Sequence, residues 1–131
     1  MTIILHVEDD LTIASTVARL LKRTLPEVRV IHTLTVDAAI TALGICQVQL
    51  VLSDYKVFGS KTGADLLEHV QAMRNPPPFV FLSSDERCAD RSVPWLQKPA
   101  SATAIRYAVL VAIDPPKVVV DIPFDDIAEV A

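Results

Sequence analysis

The hydrophobic residues of this chain fall into two kinds of segment, short continuous runs and longer stretches with helical spacing. The short aliphatic or β-branched runs predict buried strands at 3–7, 28–34, 48–52 and 79–82, with a weaker strand at 95–97. Apolar residues that recur every three or four positions predict helices over 13–25, 36–43, 66–73 and 100–113. We expect Gly44 to close the second helix.

This alternation of buried strands and helices is typical of a parallel sheet that is covered on both faces. The predicted fold class is therefore α/β, with a single doubly wound five-stranded parallel sheet. The connection between the last two strands departs from that pattern, because only residues 84–92 remain for it once residues 93–97 are set aside for the last strand. A crossover with a helix needs about 10–12 residues at least. We expect a single turn or a loop there, so that the fourth helix is shortened or missing.

Charge is distributed unevenly along the chain. Residues 1–113 contain 11 acidic and 11 basic residues, whereas residues 114–131 contain five acidic residues and one Lys, which gives the whole net charge of −4. A hydrophobic content of 51% argues against a disordered chain. The charge and the lack of a basic stripe argue against a nucleic-acid partner.

The C-terminal segment is predicted to lie outside the domain. We assign residues 1–114 to one domain and residues 115–131 to an acidic, apolar tail. Residues 107–113 are all apolar, which predicts that the last helix is buried on more than one side. Three alternatives stay open for the tail: an extra strand at 118–120, an arm of a homodimer formed with the last helix, or a linker after Pro115.

The remaining composition predicts a soluble, cytoplasmic protein that makes no membrane contact. Cys46 and Cys88 form no disulfide or zinc-binding pattern, which favours free thiols in a reducing compartment. The apolar start runs directly into acidic residues, unlike a signal peptide. The longest charge-free stretch, 38–53, is too short and too polar to span a bilayer.

Polar residues that can carry chemistry follow the predicted strands. Glu8 and Asp9 follow the first strand, Asp54 the third, Ser83 the fourth and Lys98 the fifth. Ligands of open α/β sheets bind beyond the carboxyl ends of the strands, so these side chains should meet at one edge. Grouped carboxylates repel each other unless a hard cation such as Mg²⁺ binds them. Such a site can form, hold and lose an aspartyl phosphate, with Ser83 and Lys98 as donors to the phosphoryl group.

Four sequence blocks resemble the signatures of receiver domains from two-component response regulators. The blocks are residues 5–10 (LHVEDD), 50–55 (LVLSDY), 82–84 (LSS) and 97–99 (QKP). They occur in order, each at the end of a predicted strand, and the resemblance extends over about residues 2–113. It implies the CheY-like, flavodoxin-like fold with strand order 2-1-3-4-5.

The resemblance also implies roles for individual residues. Asp54 would be the phosphoacceptor, and Glu8, Asp9, Asp54 and the backbone carbonyl of Lys56 would hold Mg²⁺. Ser83 and Lys98 would contact the phosphoryl group. Trp95 falls where the family usually carries a switch Tyr or Phe, and simple packing is the alternative. The expected partners are a histidine kinase or phosphotransfer protein and a downstream protein target.

Two other functions compete with this phosphoacceptor switch. An Asp-nucleophile phosphatase generally needs a second acid two residues after the nucleophile, where this chain has Lys56. We therefore expect no enzyme activity beyond Mg²⁺-dependent phosphorylation and dephosphorylation of Asp54 itself. A receiver-like scaffold that is not phosphorylated is favoured by the short fourth crossover and opposed by the complete acidic set. Smaller alternatives are helix capping for Asp10 and a satisfied core position for His6.

Overall fold

The computed structural model describes residues 1–114, and its centre is a five-stranded parallel sheet with the order β2-β1-β3-β4-β5. The strands are β1 (Thr2–Val7), β2 (Val28–Thr33), β3 (Leu50–Ser53), β4 (Phe79–Ser83) and β5 (Trp95–Gln97). Neighbouring strands pair in parallel throughout. The predicted sheet and strand order are therefore confirmed.

Four α-helices cover the sheet, two on each face. They are α1 (Leu11–Thr24), α2 (Val36–Ile45), α3 (Gly63–Gln71) and α4 (Ala102–Ile113). Side chains that point to one face of the sheet, such as Leu5, Val51 and Phe81, form a core with α2 and α3. Alternate side chains, such as Ile4 and Leu52, form a second core with α1 and α4. The continuous apolar strands of the sequence arise because both faces are buried.

The connection between β4 and β5 is a 3-10 helix of five residues, Glu86–Asp90, which confirms the predicted short crossover. Asp85 begins it by accepting a hydrogen bond from the Arg87 backbone N–H. Cys88 is fully buried and anchors the segment to the core of α2 and α3. One buried side chain thus replaces the apolar face of a full helix.

Several predicted boundaries differ from the structure, and two of them have a clear physical reason. Gly44 lies inside α2, which continues to Ile45 because the backbone N–H of Cys46 still bonds to the carbonyl of Ala42. The last helix begins at Ala102, because the Ser101 side chain accepts the N–H of Ala104 and caps it. The weak strand predicted at 95–97, by contrast, is confirmed as Trp95–Gln97. Proline at position 94 has no N–H to donate to a ladder.

The exposure of α4 differs from the prediction for an all-apolar helix. Within residues 1–114, only Ile105 and Val109 of this helix are buried. Tyr107 is 71% exposed, Leu110 41% and Val111 37%. One side of α4 therefore faces solvent in the part of the chain that the structure describes. The predicted tail, with its strand, dimer-arm and linker alternatives, lies outside the described residues.

The loop between β3 and α3 is attached to the neighbouring helix α2. Phe58 forms an isolated parallel bridge with Thr35, the N-cap of α2. The ammonium of Lys61 contacts the carboxylate of Asp37 at 2.6 Å. No helix among the described residues has the length and apolarity needed to cross a membrane.

Candidate functional site

The carboxyl ends of the parallel strands bring five predicted site residues to one edge of the sheet. Glu8 and Asp9 follow β1 directly, and Asp54 is the first residue after β3. Ser83 is the last residue of β4, and Lys98 is the first residue after β5. The site is therefore a direct product of the topology, as the sequence pattern implied.

Lys98 bridges two of the carboxylates. Its ammonium Nζ donates to Oδ2 of Asp54 at 2.8 Å and also to Oε1 of Glu8. The Glu8 side chain is almost completely buried, and the Lys98 and Asp54 side chains are 17% and 16% exposed. These three side chains are thus mostly buried, while Asp54 keeps some access to solvent.

Burial and charge act in opposite directions on this ion pair. Burial raises the pKa of Glu8 above its ordinary value, although the hydrogen bond from Lys98 opposes that effect. Burial alone would lower the pKa of Lys98, but its hydrogen bonds to Asp54 and Glu8 and their charges together raise it. Lys98 therefore remains protonated and serves as a fixed positive charge beside both acids.

Three carboxylates form a cluster that fits a divalent cation. Glu8, Asp9 and Asp54 each offer an oxygen atom, and these atoms lie within 4.8 Å of one another. All the donors are oxygens, which suits a hard cation such as Mg²⁺. Lys98 offsets only one of three negative charges, so a cation would relieve the remaining repulsion. The role of the Lys56 carbonyl stays a prediction.

Both oxygens of the Asp54 carboxylate accept hydrogen bonds. Oδ1 accepts the backbone N–H of Tyr55 at 2.7 Å, and Oδ2 accepts the ammonium of Lys98. The backbone N–H of Asp54 continues the sheet ladder by bonding to the carbonyl of Val7 at 3.0 Å. The carboxylate is therefore held in one orientation at the mouth of the site.

The Ser83 hydroxyl is buried beside Asp54. Its Oγ accepts the backbone N–H groups of Tyr55 at 3.3 Å and of Asp85 at 3.1 Å. Both contacts use the oxygen as acceptor, so the hydroxyl hydrogen is not used by either of them and can be donated. Ser84, the next residue along the chain, is exposed. Ser83 is thus the serine that the structure brings to the acidic site.

The Trp95 side chain contacts the backbone of the same serine. The indole Nε1–H donates to the Ser83 carbonyl at 2.9 Å, and the Lys98 backbone N–H donates to that carbonyl at 3.1 Å. The ring is half-buried and packs against the core of α2 and α3. The hydrogen bond links Trp95 to the site, and its switching role stays a prediction.

Two histidines lie next to the acidic cluster, and their environments were not predicted from the sequence. Nε2 of His32 lies 2.6 Å from the Glu8 carbonyl and so holds the backbone of the acidic segment. His6 is buried, but neither ring nitrogen has a hydrogen-bond partner among the described residues, so the predicted satisfied position was wrong. Burial, followed by His32 and Lys98, lowers the pKa of His6 to about 3. The adjacent register of β1 and β2 pairs these histidines, which the sequence alone did not indicate.

A pair of arginines covers Tyr55, the residue after Asp54. The Arg87 guanidinium lies 4.4 Å from the centre of the Tyr55 ring, and Arg91 donates to the Tyr55 hydroxyl at 3.2 Å. Arg87 also makes two side-chain hydrogen bonds to Asp85, which lowers the pKa of Asp85 to about 2. No sequence signal indicated this arrangement, because it depends on the path of the 3-10 helix. Asp10, by contrast, caps α1 as predicted.

Comparisons with known proteins identify the fold. No protein-family model matches the chain, and no curated protein matches its sequence. The structural neighbours are receiver domains. A signal receiver domain of a signal transduction histidine kinase from Syntrophus aciditrophicus has a TM-score of 0.78 at 20% identity, covering 95% of this chain and 98% of that chain. A CheY-like response regulator receiver domain from Methylobacillus flagellatus has a TM-score of 0.73 at 20% identity, covering 87% and 99%.

A third neighbour is the N-terminal domain of a response regulator/sensory box/GGDEF 3-domain protein from Carboxydothermus hydrogenoformans. It has a TM-score of 0.74 at 24% identity, covering 86% of this chain and 94% of that chain. The sequence identities are low, so these similarities establish the fold of the domain. The fold agrees with the receiver resemblance of the four sequence blocks.

Proposed function

We propose that the chain is a receiver domain whose Asp54 accepts a phosphoryl group from a phosphohistidine of a histidine kinase or phosphotransfer protein. One observation carries the proposal. Lys98, Asp54 and the acidic pair of Glu8 and Asp9 converge at the carboxyl ends of the parallel strands. Structural ion-pair networks also gather charges. This site in addition combines a carboxylate cluster, a solvent-accessible Asp54 and the buried Ser83 hydroxyl.

In the proposed reaction, an Asp54 oxygen attacks the phosphorus while the P–N bond of the phosphohistidine breaks. The imidazole of the donor leaves with the electron pair and takes up a proton. Asp54 is pre-oriented for this step because its two oxygens are held by Tyr55 and Lys98. Mg²⁺, held by the acidic cluster, would neutralise charge on the phosphoryl oxygens.

The other two side chains would then stabilise the product. The Lys98 ammonium would exchange its bond to Asp54 for one to the phosphoryl oxygens, since an acyl phosphate carries its negative charge there. The Ser83 hydroxyl would donate its hydrogen to the same group. We infer that the signal passes to a downstream protein through the surface near Ser83, Trp95 and the 3-10 helix, which share hydrogen bonds.

Beryllofluoride, a phosphoryl mimic that binds carboxylates, provides a test that needs no partner protein. We expect a bound ¹⁹F NMR signal with the full chain only when Mg²⁺ is present. Asp54→Asn should abolish the signal, because the carboxylate nucleophile is removed. Asp37→Asn, which removes an exposed carboxylate on α2, should leave it unchanged. A signal that persists in Asp54→Asn would contradict the assignment.

The competing function is a receiver-like interaction module that is never phosphorylated. The short 3-10 crossover favours it, because the usual fourth helix is replaced by five residues. If beryllofluoride fails to bind while the cluster still binds Mg²⁺, the interaction module becomes the better account.

A further inference from the structure

A continuous groove runs between α1 and α4 on the outside of the domain. It consists of two adjoining cavities of about 510 Å³ and 330 Å³. Both are lined by Thr16, Val17, Ala100 and Ile105, so they form one channel. One end reaches Lys98, and the other end reaches Arg23 near the C-terminus of α1.

The floor of this groove is apolar, and several apolar side chains along it keep part of their surface exposed to solvent. Ile13, Leu20 and Ala100 are only partly buried, and they lie against the core that α1 and α4 share. The lining surface offers few polar atoms apart from threonine, serine and the cations at its ends. An apolar strip of this kind fits an aliphatic or aromatic chain segment.

The charged residues of the two helices that flank the groove are all basic. Helix α1 carries Arg19, Lys22 and Arg23, and α4 carries Arg106, and neither helix contains an acidic residue. The two helices therefore carry a net charge of +4. Residues 114–131 have a net charge of −4, from five acidic residues and one Lys. This complementarity favours an acidic, apolar occupant.

The segment after α4 has the required composition and reach. It contains apolar residues at 118, 119, 120, 122, 124 and 127, with acidic residues between and after them. Helix α4 has 12 residues. At about 1.5 Å per residue, that helix is roughly 18 Å long. An extended chain covers this distance in about six residues at ~3.3 Å each. The chain can therefore return to the first turn of α4, where the groove lies, from about residue 120 onward.

We propose that residues 118–124 of this chain dock intramolecularly in the groove between α1 and α4. The apolar side chains would bind the floor, and Asp121, together with Asp125 and Asp126 just after the docked segment, would face Arg19 and Arg23. A short connection gives the segment an effective concentration in the millimolar range, which favours it over a second copy. The proposal does not depend on phosphorylation of Asp54, so each can fail separately.

Paramagnetic relaxation enhancement in the full chain tests this docking. A spin label is attached at Ala128→Cys in a Cys46→Ser background; Cys88 is fully buried and does not react. We expect strong broadening of the amide signals of Thr16, Arg19 and Leu20, and none for His69 on the opposite side of the sheet. Absence of broadening on α1 would overturn the proposal.

A mixed sample identifies the occupant. Isotope-labelled chain without a spin label is combined with unlabelled chain that carries the spin label. We expect no broadening, because docking is intramolecular. Broadening of α1 in this mixture would show that the segment of a second copy occupies the groove, and would also overturn the proposal.

Matched variants test the chemistry of the contact. Ile122→Ser with Phe124→Ser should remove most of the broadening, because the apolar contacts are lost. Arg19→Glu should weaken it, whereas Arg74→Glu, the same charge change at an exposed residue after α3, should have no effect. Broadening that survives the double serine variant, or that responds equally to both arginine variants, would contradict the proposed contact.

Discussion

At the scale of single residues, the site depends on a lysine that holds two acids together. Lys98 contacts both Asp54 and the buried Glu8, which would otherwise repel each other. Breaking a buried ion pair by removing one partner leaves an uncompensated charge in the protein. The same ammonium that we assign to phosphoryl binding therefore also stabilises the unphosphorylated domain.

Lys98→Ala should lower the free energy of unfolding at neutral pH by about 1–3 kcal/mol, a value discounted for the partial exposure of the pair. Mg²⁺ should restore part of this loss, because a cation can compensate the same carboxylates. Urea denaturation with and without Mg²⁺ measures both effects. Lys61→Ala, which breaks an exposed ion pair with Asp37, serves as the control. An equal Mg²⁺ effect on the Lys98 and Lys61 variants would contradict this interpretation.

His6 gives the domain a specific dependence on pH. The pKa of His6 is lowered from 6.5 to about 3, so the folded state excludes a proton that the unfolded chain binds. Stability linked to His6 is therefore complete above pH 6.5 and is lost as the pH falls from 6.5 toward about 3. Near pH 5 this loss amounts to about 2 kcal/mol.

His6→Leu should remove that loss, because leucine fills the buried position without a titrating group. We expect the variant to gain stability relative to the unmodified chain as the pH falls from about 7 to about 5. Denaturation at several pH values measures the difference, with His69→Gln on the exposed surface as the control. Parallel pH profiles for His6→Leu and the unmodified chain would show that His6 is not responsible.

At the scale of elements, two glycines in helices have opposite structural requirements. A Cβ atom on Gly63 would lie 2.3 Å from the carbonyl oxygen of Asp54 and 2.9 Å from the ring of Phe81. Helix α3 can therefore begin directly against the site only if residue 63 has no side chain. A Cβ atom on Gly44 in α2 would instead meet no other element of the described chain within 4 Å.

Gly63→Ala should destabilise the domain by more than about 2 kcal/mol, because a backbone carbonyl cannot move away cheaply. Gly44→Ala should instead stabilise it by about 0.5–1 kcal/mol, since alanine favours a helix interior. Thermal denaturation of the two variants measures both. Similar effects of the same sign would refute the structural distinction.

The order and type of the helices and strands could be predicted from the sequence where local patterns determine them, but the exact ends of the helices could not. The length of 84–92 was enough to exclude a full helix, and the structure has the 3-10 segment Glu86–Asp90 there. The role of Gly44 was misjudged because a glycine can close a helix or lie within one. Helix α2 continues because its next backbone hydrogen bond is still formed, and that information is absent from residue type alone.

At the scale of the whole molecule, the parallel topology explains why the site could be predicted from the sequence. Residues separated by up to 90 positions, such as Glu8 and Lys98, meet because strands in a parallel sheet end at one edge. Two features could not be predicted: the His6 ring nitrogens without a hydrogen-bond partner among the described residues, and the arginine pair over Tyr55. They depend on strand register and on the path of a loop.

Intact-mass spectrometry after incubation with a small phosphodonor tests whether Asp54 accepts a phosphoryl group. We expect a single phosphoryl adduct that requires Mg²⁺, persists in Asp37→Asn and is absent in Asp54→Asn. An adduct that forms equally without Mg²⁺, or that remains in Asp54→Asn, would show that Asp54 is not the Mg²⁺-dependent phosphoacceptor.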